Sequence, residues 1–113
     1  MKLVFVYGTL KRGQRNDHYL SDAEFIGHFT TGRRYTMYDF GGYPAVCLRG
    51  RDAIEGEVYR LGKRSFSKLD ELEWYPRFYQ RIEIMTRYGR AWMYIVRPKL
   101  CRRRKRLPAG SWP

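Results

Sequence analysis

Leu69-Asp70-Glu71-Leu72-Glu73-Trp74-Tyr75-Pro76 gathers three carboxylates at the end of a short amphipathic segment, beside aromatic side chains able to desolvate one of them. A carboxyl group withdrawn from water holds its proton to higher pH and can serve as general acid and base near neutrality. A second stretch, Val4-Phe5-Val6-Tyr7-Gly8-Thr9-Leu10-Lys11-Arg12-Gly13-Gln14, runs an apolar strand straight into a turn flanked by two glycines. Glycine lets a ligand come close to the main chain, and a row of backbone N–H groups can hold a carboxylate or a developing oxyanion. Thr9 lacks an activating dyad, since the chain has only His18 and His28, so its hydroxyl is read as a hydrogen-bond donor and not as a nucleophile. Those two histidines carry no Cys or carboxylate pattern around them, so no metal site is expected. The Gly8 to Gly13 spacing matches neither a phosphate loop nor a dinucleotide fingerprint, and no cofactor is expected.

Both stretches need elements to hold them. Leu3 to Tyr7 has no polar interruption and reads as a central strand buried on both faces. A polar loop from Arg12 to Asp17 leads to a short helix or turn through His18-Tyr19-Leu20. Phe25 to Thr30 and Arg34 to Phe40 read as strands, the second rich in Tyr and Thr, with Gly41-Gly42-Tyr43-Pro44 as a turn. Ala45 to Leu48 and Ile54 to Leu61 continue the sheet around a charged Gly50-Arg51-Asp52 turn. One helix follows, with Ser65 as its N-cap, Phe66, Leu69 and Leu72 on one face, and Pro76 as its stop. Glu73 then falls at the edge of the apolar stripe. Tyr79 to Thr86 and Ala91 to Val96 form a hairpin around Tyr88-Gly89-Arg90. About six strands against one or two helices predict an α+β domain.

At 113 residues the chain is expected to form one domain over residues 1–113, with a basic, solvated C-terminal tail from about Pro98. Cys47 and Cys101 offer neither a disulfide framework nor ligand spacing, and both are read as free thiols, Cys47 as a small core hydrophobe. No apolar run reaches the ~20 residues of a membrane span, so a soluble, cytoplasmic protein without a membrane partner is expected. The net charge of +12 and the pI near 10.1 attract anions in general. Cations crowd into Arg102 to Arg106 but also run throughout the chain, and the first explanation is a solvated surface. A competing one is a module binding nucleic acid or an anionic surface, with aromatics such as Tyr35, Tyr38 and Phe78 interleaved among arginines.

Together with Glu55-Gly56-Glu57-Val58-Tyr59, the two stretches resemble the gamma-glutamylcyclotransferase-like family over roughly residues 2 to 97. The opening loop and Asn16 are most similar to gamma-glutamylamine cyclotransferases. The family's Leu-Asp-x-x-Glu-x-x-Pro pattern is met by Leu69, Asp70, Glu73 and Pro76, which implies Glu73 as catalytic acid/base and Asp70 as a structural partner. The resemblance further implies a mixed sheet curled into a small barrel with the pocket at one end. It implies a small-molecule gamma-glutamyl substrate, closed on itself to 5-oxoproline with release of an amine. Tyr7, Gly8, Thr9 and Leu10 are the expected substrate-binding loop, and Tyr43 and Tyr79 further pocket-lining candidates. Gly110-Ser111-Trp112 echoes an ending of short bacterial members. Trp74 departs from the family, many of whose members carry Gly after the glutamate, and this leaves room for a catalytically silent member that binds another small acid. Oligomeric state is left open by the sequence.

Overall fold

The computed structural model describes every residue from Met1 to Pro113. The apolar run at the N-terminus forms β1 (Lys2–Val6), flanked by β5 (Glu55–Leu61), antiparallel to it, and β7 (Gly89–Ile95), parallel to it. Beyond these lie β2 (Glu24–Thr30) and β6 (Gln80–Thr86), giving a five-stranded sheet in the order β2-β5-β1-β7-β6. Alternation along β1 divides the interior: Val4 and Val6 join one buried cluster, Phe5 and Tyr7 the other. Phe66 and Leu69 of helix α1 (Lys63–Leu72) pack into the first. The second also takes Met37 from β3 (Tyr35–Asp39) and Val46 from β4 (Pro44–Asp52). A strand apolar on both faces is thereby covered on both faces.

The α+β expectation stands, but the sheet does not close into a barrel. Strands β3 and β4 form a separate three-stranded sheet with the short β8 (Lys105–Arg106), in the order β4-β3-β8. Beyond the end of β7, Val96 N–H donates to the Val46 carbonyl at 2.9 Å, a single bond between β4 and the segment leaving the larger sheet. Nor is Gly50-Arg51-Asp52 a turn. These residues belong to β4, whose pairing jumps from Tyr35 opposite Asp52 to Thr36 opposite Cys47, so the intervening residues bulge. Gly50 has φ +148°, and a Cβ there would collide with the Tyr35 carbonyl and the Thr36 hydroxyl.

Helix α1 also begins and ends differently from expectation. Gly62, extended directly after β5, occupies the N-cap with no side-chain cap, which leaves Ser65 inside the first turn. The helix ends at Leu72, before Pro76 is reached. Glu73 is the C-cap, its N–H bonded to Leu69 O, and Trp74 turns the chain away at φ +53°. That left-handed dihedral costs a residue with a Cβ roughly 1–2 kcal/mol and is the one glycine adopts freely. Trp74 therefore occupies a backbone shape suited to the glycine of the family pattern.

The segment from Pro98 is no free tail. A 3-10 turn at Pro98–Cys101 buries Cys101. β8 pairs with β3, Leu107 N–H bonds Met37 O at 2.8 Å, and Glu55 N–H bonds Gly110 O at 2.9 Å. The side chains of Arg102 to Arg106 are exposed as expected. Two of them nevertheless have partners: Arg106 forks onto Asp52, and Arg104 lies 4.3 Å above the Phe40 ring. Replacing Arg102, Arg103 and Lys105 with Gln is expected to leave the thermal midpoint unchanged. Extending the change to Arg104 and Arg106 should lower it, the Arg104 stack alone contributing about 0.5–1 kcal/mol. Turnover should stay within about tenfold throughout, checked by thermal melts and rates on one set of variants. Cys47 and Cys101 are free and buried. No helix is long and apolar enough to cross a membrane.

Candidate active site

The loop after β1 and the end of α1 meet at a cavity of about 380 Å³, a size suited to a small molecule. All seven residues singled out from the sequence line it: Tyr7, Gly8, Thr9, Leu10, Tyr43, Glu73 and Tyr79. Phe5, Val6, Pro44, Leu72 and Phe78 add apolar wall, and Arg15, Asn16, Trp74 and Tyr94 complete the lining.

Glu73 is the only carboxylate in that lining. It belongs to none of the ion pairs Arg60–Glu24, Arg81–Asp70 and Arg106–Asp52, and its side chain accepts no hydrogen bond from the protein. Withdrawal from water pushes its carboxyl group up to about 7. The partial negative charge at the C-terminal end of α1 acts in the same direction. Three buried tyrosines surround this carboxyl. Each hydroxyl is already committed, Tyr7 donating to Tyr94 O at 2.8 Å, Tyr79 to Pro44 O at 2.7 Å, and Tyr94 to Asp70 Oδ1 at 2.7 Å. Burial above all holds the three phenols well above their ordinary range; Glu73 comes next for Tyr7, Tyr7 and then Glu73 for Tyr79, and Asp70 for Tyr94. With these phenols held neutral, the Glu73 carboxyl is left as the lining group raised to about 7.

Asp70 faces away from this chemistry. Its carboxylate takes a two-pronged bond from Arg81, at 3.0 and 3.2 Å, besides the Tyr94 hydroxyl. The Arg81 guanidinium in turn lies over Phe66, Tyr75 and Trp92, at 5.0, 4.2 and 4.6 Å from their ring centres. This cluster clamps α1 to β6 and β7 and so fixes the helix end that carries Glu73. Glu71 is exposed and not part of the lining.

Across the cavity, the loop is held from behind. Arg12 N–H donates to Glu57 Oε1 at 2.9 Å, Lys11 N–H to Gly8 O at 3.0 Å, and Asn16 N–H to Thr9 O at 2.9 Å. Gly13, at φ +87°, ends the turn. The N–H groups of Gly8, Thr9 and Leu10 have no acceptor within the chain. Asn16 Nδ2 also donates to Thr9 Oγ1 at 3.0 Å, which leaves the threonine hydrogen free to donate. Gly8 is required here for a reason other than dihedral freedom, because its φ lies outside the left-handed region. A Cβ would come within 2.7 Å of Pro44 Cγ, so glycine is needed for the loop to seat against β4.

Sequence reasoning passed over Arg15 and Tyr94. Arg15 sits in a polar loop with no periodicity to mark it. Tyr94 lies on β7, and only the pairing of that strand with β1 brings it to the cavity.

An α+β frame that brings one desolvated carboxyl and a row of unpaired amides to one cavity suits acyl transfer. The family model described as "Gamma-glutamyl cyclotransferase, AIG2-like" matches residues 4–113, and the chain belongs to that family of cyclotransferases. A Vibrio cholerae relative is 39% identical over 110 residues, covering 97% of this chain and 94% of its own. The gamma-glutamylcyclotransferase family protein YtfP of Escherichia coli is 38% identical over 92 residues, 81% of this chain and 80% of its own. The solution structure of the E. coli protein superposes with a TM-score of 0.79 over 97% of this chain and 95% of that one, at 36% identity. The crystal structure of an uncharacterised Pyrococcus horikoshii protein gives 0.83 over 98% and 89%, at 29% identity.

Proposed function

We propose that the cavity converts a gamma-glutamylamine, or a related gamma-glutamyl amide, into 5-oxoproline and the free amine, with Glu73 as general acid and base. The substrate's α-nitrogen attacks its own γ-carbonyl carbon. The carbonyl electrons move onto oxygen, whose negative charge the unbonded Gly8, Thr9 and Leu10 amides and the Thr9 hydroxyl would receive in this reading. Glu73 accepts the proton shed by the attacking nitrogen. It returns that proton to the departing nitrogen as the original C–N bond breaks. The ring closes at the expense of one amide bond for another, so the step consumes no water and no redox equivalent. Holding the glutamyl chain curled is worth roughly 7–11 kcal/mol in such an intramolecular reaction. The apolar walls supply that confinement, and the neutral tyrosines keep Glu73 free of a competing base.

The observation that carries this reading is the Glu73 carboxyl itself: shifted to about 7 by burial, unpaired, and in one cavity with unbonded amides. The test is incubation of the purified protein with gamma-glutamylamines, gamma-glutamyl dipeptides and glutathione. Equal amounts of 5-oxoproline and free amine are expected from at least one of them. Release of glutamate, or no turnover of any of them, would contradict it.

A further inference from the structure

Of the residues lining the cavity, only Arg15 and Trp74 are exposed. They form its rim, whereas Glu73 and the three tyrosines lie within. Neither is explained by the fold. Trp74 is 71% exposed, the one aromatic among the exposed large apolar side chains, and it holds a left-handed φ of +53° that glycine would accept without strain. An indole kept in an unfavourable backbone shape, and buying no burial, points to use at the cavity mouth. Arg15 takes part in none of the chain's ion pairs and donates no side-chain hydrogen bond. Its Nη1 lies 3.5 Å from the position a Cβ would occupy on Gly42, so the guanidinium reaches across the Gly41-Gly42 turn that precedes Tyr43.

Resting on the cyclotransferase reading of the cavity, we propose that Arg15 and Trp74 select the leaving amine, favouring gamma-glutamyl conjugates whose amine carries both a carboxylate and a flat apolar group. With the glutamyl part curled against Glu73, the leaving nitrogen points to the opening and its substituents meet the rim. An unpaired guanidinium there can donate two parallel hydrogen bonds to a carboxylate and repels a cationic amine. The indole face offers apolar stacking to an aromatic or long aliphatic substituent. A carboxylate-free or cationic leaving group uses only part of this rim.

The experiment compares kcat/KM for four compounds: γ-glutamylphenylalanine, γ-glutamylalanine, γ-glutamylphenethylamine and γ-glutamylputrescine. The protein is used as wild type, Arg15→Gln and Trp74→Gly, with 5-oxoproline as the readout and thermal melts run in parallel. In the wild type, γ-glutamylphenylalanine should exceed γ-glutamylalanine and γ-glutamylphenethylamine by about tenfold or more each, and γ-glutamylputrescine should be poorest. Arg15→Gln should collapse the phenylalanine-to-phenethylamine ratio and spare the phenylalanine-to-alanine ratio. Trp74→Gly should do the reverse while melting no lower than wild type, which separates lost selectivity from lost structure. Ratios within about threefold in the wild type, or ratios unmoved by either variant, would overturn the assignment of the rim and leave the cyclotransferase reading standing. Failure of all four compounds to yield 5-oxoproline would overturn the rim assignment, and the same failure across the wider gamma-glutamyl panel would overturn both.

Discussion

Glu73→Gln is expected to lower turnover by roughly 10²–10⁴-fold, the usual loss when a general acid/base is removed, and at the same time to make the protein more stable above neutral pH. Both effects follow from one property of this carboxyl group. Burial raises its pKa from 4.5 to about 7, so between those values the folded chain keeps a proton that the unfolded chain has released. Its contribution to stability is complete below about pH 4.5 and disappears as pH rises through 7, where the folded protein must ionise a desolvated group. A glutamine of the same shape carries no such cost. The variant should therefore match the wild type near pH 4.5 and exceed it by about 3 kcal/mol at pH 8 and above, the free-energy equivalent of the shift. Denaturant unfolding at the two pH values, beside rates of 5-oxoproline release, checks both halves. A glutamine variant that is less stable at pH 8 would mean that Glu73 serves the fold, as an ordinary helix-end carboxylate does.

Gly8→Val should be costly on both counts, stability and chemistry. The added Cβ meets Pro44 Cγ and Cδ at 2.7 and 2.9 Å, where the neighbour is a rigid ring in a buried strand. Overpacking of this kind costs typically 1–3 kcal/mol. Relief can come from moving Pro44, whose carbonyl anchors the Tyr79 hydroxyl, or from moving the loop and with it the Gly8, Thr9 and Leu10 amides. Either way the cavity loses its alignment, and misplacing one oxyanion donor already costs about 10²–10³ in turnover. Gly8→Ala presents the same Cβ with less bulk and should fall between. Should Gly8→Val unfold more easily yet turn over substrate at the wild-type rate, the loop amides have no part in catalysis.

Much of this was legible because the deciding interactions are local or periodic. The uninterrupted apolar run in β1, the Tyr- and Thr-rich β3 and the spacing of Phe66, Leu69 and Leu72 each report their own burial. Most site residues could be named because two motifs, each contiguous in the chain, carry the family resemblance that implies their roles, whereas Tyr43 lies in neither. What escaped depends on partners far away in sequence. The Gly50 bulge is visible only once β3 and β4 are paired, since composition alone gives a glycine beside two charged residues the look of a turn. The segment after Pro98 shows a polar composition that suits solvent, yet its backbone N–H and C=O groups complete a sheet edge and cap Glu55. The start of α1 at Gly62 and its end before Pro76 reflect how β5 and the Trp74 turn deliver the chain, and neither proline nor serine signals record that. The role of Arg81 in holding Asp70 and three aromatic rings likewise requires the helix and the β6–β7 hairpin to be seen together.

The central claim is that the protonation of one buried carboxyl governs cyclisation. The most direct measurement is the pH dependence of kcat/KM for 5-oxoproline release, on whichever gamma-glutamyl compound is turned over, in wild type and Glu73→Gln. The wild-type profile should rise tenfold per pH unit on its acid side and bend near pH 7, where burial places Glu73, and the bend should be absent from the residual activity of the variant. A wild-type profile flat from pH 5 to 8, or the same bend persisting in Glu73→Gln, would contradict the account.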